Sequence, residues 1–313
     1  MFKIYSIGSG LGDCFFIEIG EQTMPIRILV DGRDGTQTDE IITRLEEIEK
    51  SDDKKIDIMI VTHIDQDHIK GIIELMKKRP EMFEQTIVIY NYVTKDVISY
   101  SQAEEFEEKI KNHTVFSSAK QKYPDILGSK IEIISKGESK DFYNQIEELQ
   151  KEIPILILLS PDKNGIDSVY EEYKIKRSKD KRGSAVKINR NSIVFLIEYK
   201  DKCALFAGDA YIKHIDKILS SLGENLNKKV IDIIKMPHHG AEKNNKGIVD
   251  FANKHKCSKF IVTGEDDWKG IHPHKGIINE ITKKIIDFVI YAKMDIKDDQ
   301  ISVKAESDEE IEI

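Results

Sequence analysis

Cysteine is scarce and scattered: Cys14, Cys203 and Cys257 are the only three in 313 residues. An odd number at such wide spacing argues against a disulfide framework or a zinc ribbon. Cys14 and Cys203 sit in apolar runs and Cys257 just before one, so buried free thiols are expected. No apolar run approaches the roughly 18 residues a membrane span needs. A basic excess is missing too: Lys and Arg total 48 against 56 Asp and Glu, a net charge of −8. That argues against a general nucleic-acid coat and leaves room for a local basic groove. Repeats and long low-complexity segments are absent. The start, Met1-Phe2-Lys3-Ile4-Tyr5, runs straight into strand pattern without the layout of a signal peptide. A reducing cytoplasm is therefore the expected setting.

What remains has the balance of a soluble globular protein, with 40% hydrophobic and 33% charged residues. Strand-like segments open the chain at Phe2–Ile7, Cys14–Ile19 and Ile26–Val30, with Gly8, Gly10, Gly12 and Gly20 between them. Gly8-x-Gly10-x-Gly12 superficially suggests a nucleotide loop, but no helix pattern follows it, so a tight turn is expected. A helical pattern covers 38–50, a strand 56–61, a helix 69–78 and a strand 86–90. From about 91 to 185 the character changes. Polar helices are expected at 102–111 and 142–151, strands at 131–134 and 155–159, and a basic turn-rich stretch at 174–183. That stretch reads as a solvated loop or as a flap that steers phosphates. After 190 strands at 192–199, 203–207, 230–235, 259–262 and 288–291 alternate with helices at 211–221, 246–254 and 275–284. The acidic tail, Glu306 to Ile313, is expected to fray without catalytic duty. Strand–helix alternation in both halves predicts α/β layering.

The densest chemistry lies at Thr62-His63-Ile64-Asp65-Gln66-Asp67-His68, directly after the apolar run Ile56–Val61. Four potential metal ligands fall within six residues, and carboxylates and imidazoles both bind divalent cations. A solvated polar loop is the bland alternative. Further stretches add weight: Asp31-Gly32 at a strand end, Asn191-Ser192 before a strand, then Gly208-Asp209, Pro237-His238-His239-Gly240 and His272-Pro273-His274. Most follow strands, where layered α/β proteins collect their sites. His113, His214 and His255 lie in polar helical stretches and read as surface histidines. Trp268, close to His272, reads equally as a pocket wall or as packing.

In this order, with Gly12-Asp13-Cys14 near the start, the set resembles the metallo-β-lactamase fold. More narrowly it is similar to the branch holding the hydrolase domain of DNA-uptake competence proteins and choline-phosphate esterases. The resemblance covers about 1–90 and 186–295 and leaves 91–185 unmatched. It implies a four-layer αββα sandwich over 1–295, with a helical or mixed insert at about 91–185, then a C-terminal strand and acidic tail over 296–313. It further implies two divalent metal ions. His63 and Asp65 would hold one, Asp67 and His68 the other, with Asp209 bridging and His239 completing the second. His238 and His272 would face the substrate. Asp31 would orient a ligand, Asp13 would have a structural or a site role, and Asn191 and His274 would lie close by. Two positions depart from the family pattern: Asp65 where a histidine is common, and Asn189 or Asn191 where many members carry one more. Both make the first site harder, favouring manganese or magnesium over zinc there, or a single-metal enzyme.

The implied chemistry is hydrolysis by water activated between the two ions, with Asp67, His238 and His272 as the reacting groups. A phosphodiester is the expected substrate and nucleic acid its leading class, on the resemblance, the carboxylate-rich site and the basic segment 174–187. A small phosphoester or nucleotide is the alternative. A low-turnover, metal-stabilised subunit is the third reading, with 91–185 and the tail as partner surfaces. Membrane association is not expected.

Overall fold

Segments such as Phe15–Ile19 and Ile58–Val61 are apolar at consecutive positions, and such strands need cover on both faces. The computed structural model supplies it by stacking two sheets and flanking each with helices. It describes residues 1–8, 12–49, 56–90, 101–116, 130–132, 153–161, 189, 191–264, 272–297 and 302–313.

The first sheet takes β1 (Phe2–Ser6), β2 (Phe15–Glu21), β3 (Met24–Val30), β4 (Ile58–Val61), β5 (Ile87–Tyr90) and β6 (Thr114–Phe116). The second takes β7 (Lys130–Glu132), β8 (Ile155–Ser160), β9 (Val194–Tyr199), β10 (Lys202–Phe206), β11 (Ile233–Lys235), β12 (Lys259–Ile261) and β13 (Val289–Tyr291). β14 (Ile296–Lys297) and β15 (Ser302–Val303) form a small ribbon, and β16 (Ile311–Glu312) returns to the first sheet beside β1. The spatial orders are β16-β1-β2-β3-β4-β5-β6 and β13-β12-β11-β10-β9-β8-β7.

Period-two alternation assigns each strand's faces. Phe15, Ile17, Ile58 and Ile60 point into a layer shared with Phe195, Ile197, Phe206 and Ile233 of the second sheet. There Phe206 packs 5.0 Å from Phe195 and 5.5 Å from Phe15, centroid to centroid. Phe16, Met59 and Val61 point outward against α1 (Thr38–Glu49), α2 (Gln66–Lys78) and α3 (Ser101–Lys109). Leu196, Leu205 and Ile234 do the same against α4 (Ile212–Ser221), α5 (Ile248–Lys254) and α6 (Lys275–Lys284). The result is four layers, αββα.

β3, β4 and β5 run parallel, as do β10 through β13. Their carboxyl ends therefore gather on one edge of each sheet, where side chains on the following loops can converge. Asp31 follows β3, His63 follows β4, Asp209 follows β10, the His238-His239 turn follows β11 and Thr263 follows β12. One backbone bond joins the two sheets at this edge, from Ile193 N to Thr62 O at 2.8 Å.

The structure differs from the sequence expectations in three places. In the 91–185 stretch the strands expected at 131–134 and 155–159 are present as β7 and β8 and extend the second sheet, while β6, which was not expected, extends the first. The tail is not frayed. β16 pairs antiparallel with β1, and Asp308 is fully buried, its Oδ1 3.2 Å from Lys293 Nζ. Apolar Ile311 is what the charge-rich sequence hid, since it reaches the inter-sheet layer. His255 is not a surface residue but buried at the end of α5, its Nδ1 donating to Lys229 O at 2.7 Å. The helix expected at 142–151, the basic 174–183 stretch and Trp268 lie outside the described residues. All three cysteines are buried and free. Among the described residues no helix is long and apolar enough to cross a membrane.

Candidate metal centre

The helix after β4 starts three residues earlier than its apolar periodicity suggests, at Gln66 with Asp65 as N-cap. Asp67 and His68 thus occupy its first turn, where a carboxylate also suits the positive end of the helix dipole. Two close backbone approaches fix this helix. A Cβ at Gly71 would lie 1.5 Å from Gly32 O, and one at Gly12 would lie 2.2 Å from Asp67 O. Gly12 also has φ +99°, so only glycine fits there without strain.

Three imidazoles are presented in the same way, one nitrogen held from behind and Nε2 aimed forward. His68 Nδ1 lies 2.7 Å from Asp31 Oδ2, and Asp31 also accepts from Thr62 N at 2.8 Å and Thr62 Oγ1 at 2.6 Å. His63 Nδ1 lies 3.0 Å from Thr62 Oγ1, and His239 Nδ1 lies 2.9 Å from Thr263 Oγ1. The forward atoms then meet. His68 Nε2 is 3.5 Å from Asp209 Oδ1, while His63 Nε2 is 3.6 Å from Asp209 Oδ2. His239 Nε2 is 3.4 Å from Asp67 Oδ2. Two overlapping triads result, His63–His68–Asp209 and Asp67–His68–His239, each with donor atoms within 4.8 Å of one another.

Electrostatics sharpens the picture. Burial, with help from the neighbouring His68 charge, pushes His63 down to about 3, so its ring is neutral. Burial opposes the charge on His68 and His239 as well, but carboxylates outweigh it. Asp209, Asp31 and Asp67 hold His68 well above the ordinary histidine value, and Asp13 leads in raising His239 to about 9. Burial likewise works against ionised Asp67 and Asp209, yet the surrounding histidines, His68 foremost, keep both below the usual carboxylate range. Asp65 is pushed up to about 6 by burial and then by Asp67.

Nε2 of His63, His68 and His239 and Oδ1 of Asp209 are buried without hydrogen-bond partners. A buried polar atom left unpaired costs about 1–3 kcal/mol, so four converging on one space need an occupant. Imidazole nitrogens among carboxylates suit divalent cations. Asp67, His68, His239 and Asp209 can hold one ion; His63 and Asp209, with Asp65 Oδ2 3.8 Å from His63 Nε2, can hold another.

The remaining sequence candidates spread outward. His238 is about a third exposed, with Nε2 3.6 Å from Asp209 Oδ2 and Nδ1 3.0 Å from Asn189 Nδ2. The His272 ring sits 5.3 Å from that of His238. His274 turns away as N-cap of α6, toward Glu242 at 3.7 Å. Asn191 is half-buried at the entrance to β9, and Asn189 is the residue that touches His238. Asp13 lies behind His239, paired with buried Lys235. The sequence reading passed over Thr62, Lys235, Thr263 and Asn244, whose Nδ2 donates to Asp209 O at 2.7 Å. Thr62 and Lys235 adjoin motifs already singled out, whereas nothing in the local pattern marks Thr263.

No family model matches the sequence, and no curated protein matches it. Solved structures do. The metallo-β-lactamase fold protein YhfI from Bacillus subtilis superposes over 93% of this chain and 95% of its own, with TM-score 0.52 and 12% identity. This chain has the metallo-β-lactamase fold. A CmlA β-hydroxylase variant matches 92% of this chain and 52% of its own length at TM-score 0.50, also with 12% identity. Igni18, a metallo hydrolase from the archaeon Ignicoccus hospitalis, covers 90% of this chain and 91% of its own at TM-score 0.47 and 12% identity. At 12% identity the likeness to YhfI shows the fold alone, and chemistry has to be argued from the side chains.

Proposed function

We propose that the protein is a metal-dependent hydrolase of phosphodiesters, with nucleic acid the leading substrate class. The observation that carries this reading is the convergence of His63, His68, Asp209 and His239, drawn from both halves of the chain, on one space lined by unpaired buried donor atoms. Two divalent cations bound there would supply Lewis acidity and a water acidic enough to lose its proton near neutral pH. Asp65, Asp67 and Asp209 make the donor set oxygen-rich, which favours manganese or magnesium beside zinc.

The protein's own groups cover the substrate side. Asn189 Nδ2 is a donor, so His238 Nδ1 accepts from it and the neutral ring carries its hydrogen on Nε2. His238 thus offers a hydrogen bond from Nε2 to an oxygen of a tetrahedral phosphoryl group. His272 stands beside it at the mouth. Burial lowers the His238 pKa, keeping the ring neutral near pH 7, so its role toward the substrate is that of a hydrogen-bond donor.

The test is incubation with Mn2+ or Zn2+ and labelled single- and double-stranded DNA and RNA, alongside bis(p-nitrophenyl) phosphate. Cleavage of a polymer, lost in Asp67→Ala and Asp209→Ala, is the expected result. Turnover of the small diester alone would move the reading to a small phosphoester hydrolase. Metal-dependent thermal stabilisation with no hydrolysis of any phosphoester would replace it with the low-turnover subunit.

A further inference from the structure

The second half of the centre rests on a buried polar unit that the hydrolytic scheme does not use. Asp13, on the turn before β2, and Lys235, at the end of β11, form an ion pair with side chains 2% and 1% exposed. They stand 222 residues apart in the chain. Burying two charges is costly unless their geometry and hydrogen bonds compensate. Here the remaining capacity of Asp13 is spent on one place: Oδ1 accepts from Thr263 Oγ1 at 2.7 Å and lies 3.3 Å from His239 Nδ1.

Counting hydrogens fixes the rest. The threonine hydroxyl has a single hydrogen, and that hydrogen goes to Asp13. Toward His239 Nδ1, 2.9 Å away, the Thr263 oxygen can then act only as acceptor. Nδ1 must carry the ring hydrogen, shared between Thr263 Oγ1 and Asp13 Oδ1. That leaves Nε2, the buried, unpaired atom facing Asp67, as the nitrogen available to a metal. Lys235 keeps Asp13 ionised, and an ionised carboxylate can only accept.

We infer that Asp13, Thr263 and Lys235 are positioning residues that lock His239 as an Nδ1–H tautomer and so set the affinity of one metal site, the Asp67–His68–His239 site, independently of the other. The inference rests on the metal-centre reading above. The other site's imidazole, His63, is ordered separately, by Thr62 Oγ1 with Asp31 behind it; Asp31 also orders His68 directly. Disturbing Thr263 should therefore weaken one ion and spare its neighbour.

The experiment is titration of the full-length, metal-stripped protein with Mn2+, and separately Zn2+, against a competing chelator, for wild type, Thr263→Val, Thr263→Ser and the double variant Asp13→Asn/Lys235→Met. Valine keeps the shape of threonine and removes both hydrogen bonds, and the double change removes both buried charges together, so neither leaves an unpaired charge. Two ions are expected for wild type. Thr263→Val should bind one of them about 10–100-fold more weakly and the other unchanged, with serine restoring the loss. The double variant should show the same selective weakening even where its thermal midpoint matches wild type. Equal weakening of both ions would mean a merely structural role, and unchanged affinity would remove any role; either result overturns the inference and leaves the metal centre standing. A wild type that binds no divalent ion would overturn the metal centre itself, and this inference with it.

Discussion

At the scale of single residues, the centre turns on Asp209. Its two oxygens face different imidazoles, Oδ1 toward His68 and Oδ2 toward His63 and His238, so one carboxylate serves both halves. Its backbone is held too, N donating to Ser192 Oγ at 3.2 Å. Asp209→Asn keeps the shape and removes the charge. We expect bound metal, measured by elemental analysis after gel filtration, to fall from two ions per chain to at most one. The hydrolysis proposed above should drop by more than about 100-fold, since even residues that merely orient a ligand are worth 10–100-fold. Two tightly bound ions in this variant would refute the bridging assignment. A second residue, His255, reports on pH away from the metals. Burial lowers its pKa below the ordinary value, and its Nε2 has no hydrogen-bond partner. Because the folded value is depressed, the unfolded chain binds more protons below about pH 6.5, and stability falls as pH drops from there. His255→Asn retains a donor for Lys229 O but cannot titrate. Its stability should therefore fall less steeply than wild type between pH 6.5 and 5, the slopes differing by up to about 1.4 kcal/mol per pH unit. Parallel denaturation curves across that range would show that His255 does not ionise on unfolding.

At the scale of elements, α2 matters most, because its first turn delivers Asp67 and His68 while its apolar face, with Ile69, Ile72 and Leu75, packs on the first sheet. Gly71 brings the helix against Gly32 and puts its own N–H 3.0 Å from Arg33 O. Gly71→Ala should improve helix propensity by roughly 0.5–1 kcal/mol and still destabilise the protein, because a Cβ cannot fit against Gly32 backbone. The net loss should be about 1–3 kcal/mol by urea unfolding, accompanied by weaker metal binding as His68 is displaced. A variant as stable as wild type would mean that the helix–loop contact is looser than described. This element also shows where sequence legibility ends. The strand, loop and helix around His63–His68 were readable because apolar periodicity and ligand spacing are local signals. Helix boundaries were less so, since Asp67 and His68 carry no apolar periodicity and join α2 only through packing. The carboxylates and histidines at 209, 238 and 239 could be marked as candidates, but their meeting depended on parallel strand order. Asp13, Lys235 and Thr263 come together only through two sheets stacked face to face, so Thr263 left no trace in the pattern. β7 and β8 were legible as the short strand at 131–134 and the apolar strand at 155–159, whereas β6, a short segment after a polar helix, becomes a strand only by pairing with β5.

At the scale of the whole molecule, the metal centre is also the seam between two half-structures. Each half supplies a sheet and its outer helices, and the halves meet through the inter-sheet layer, the C-terminal strand and the site itself. Asp13, Asp31, Asp65, Asp67 and Asp209 cluster on that seam. Without metal their charge is offset by protons on His68 and His239 and by Lys235. Ions binding to the folded seam have no equivalent site in the unfolded chain, so binding must stabilise the fold by mass action. A free ion concentration 100-fold above its Kd should add about 2.7 kcal/mol per site. For a chain this size that corresponds to a rise of several degrees in Tm, seen by calorimetry of stripped protein with and without Mn2+ or Zn2+. The gain should shrink as pH falls from 9 toward 6, because His239, raised to about 9 in the metal-free fold, holds its proton more firmly against the incoming ion at lower pH. A Tm that ignores both metal and chelator would mean that the converging donor atoms hold no ion, and the hydrolytic reading would fall with them.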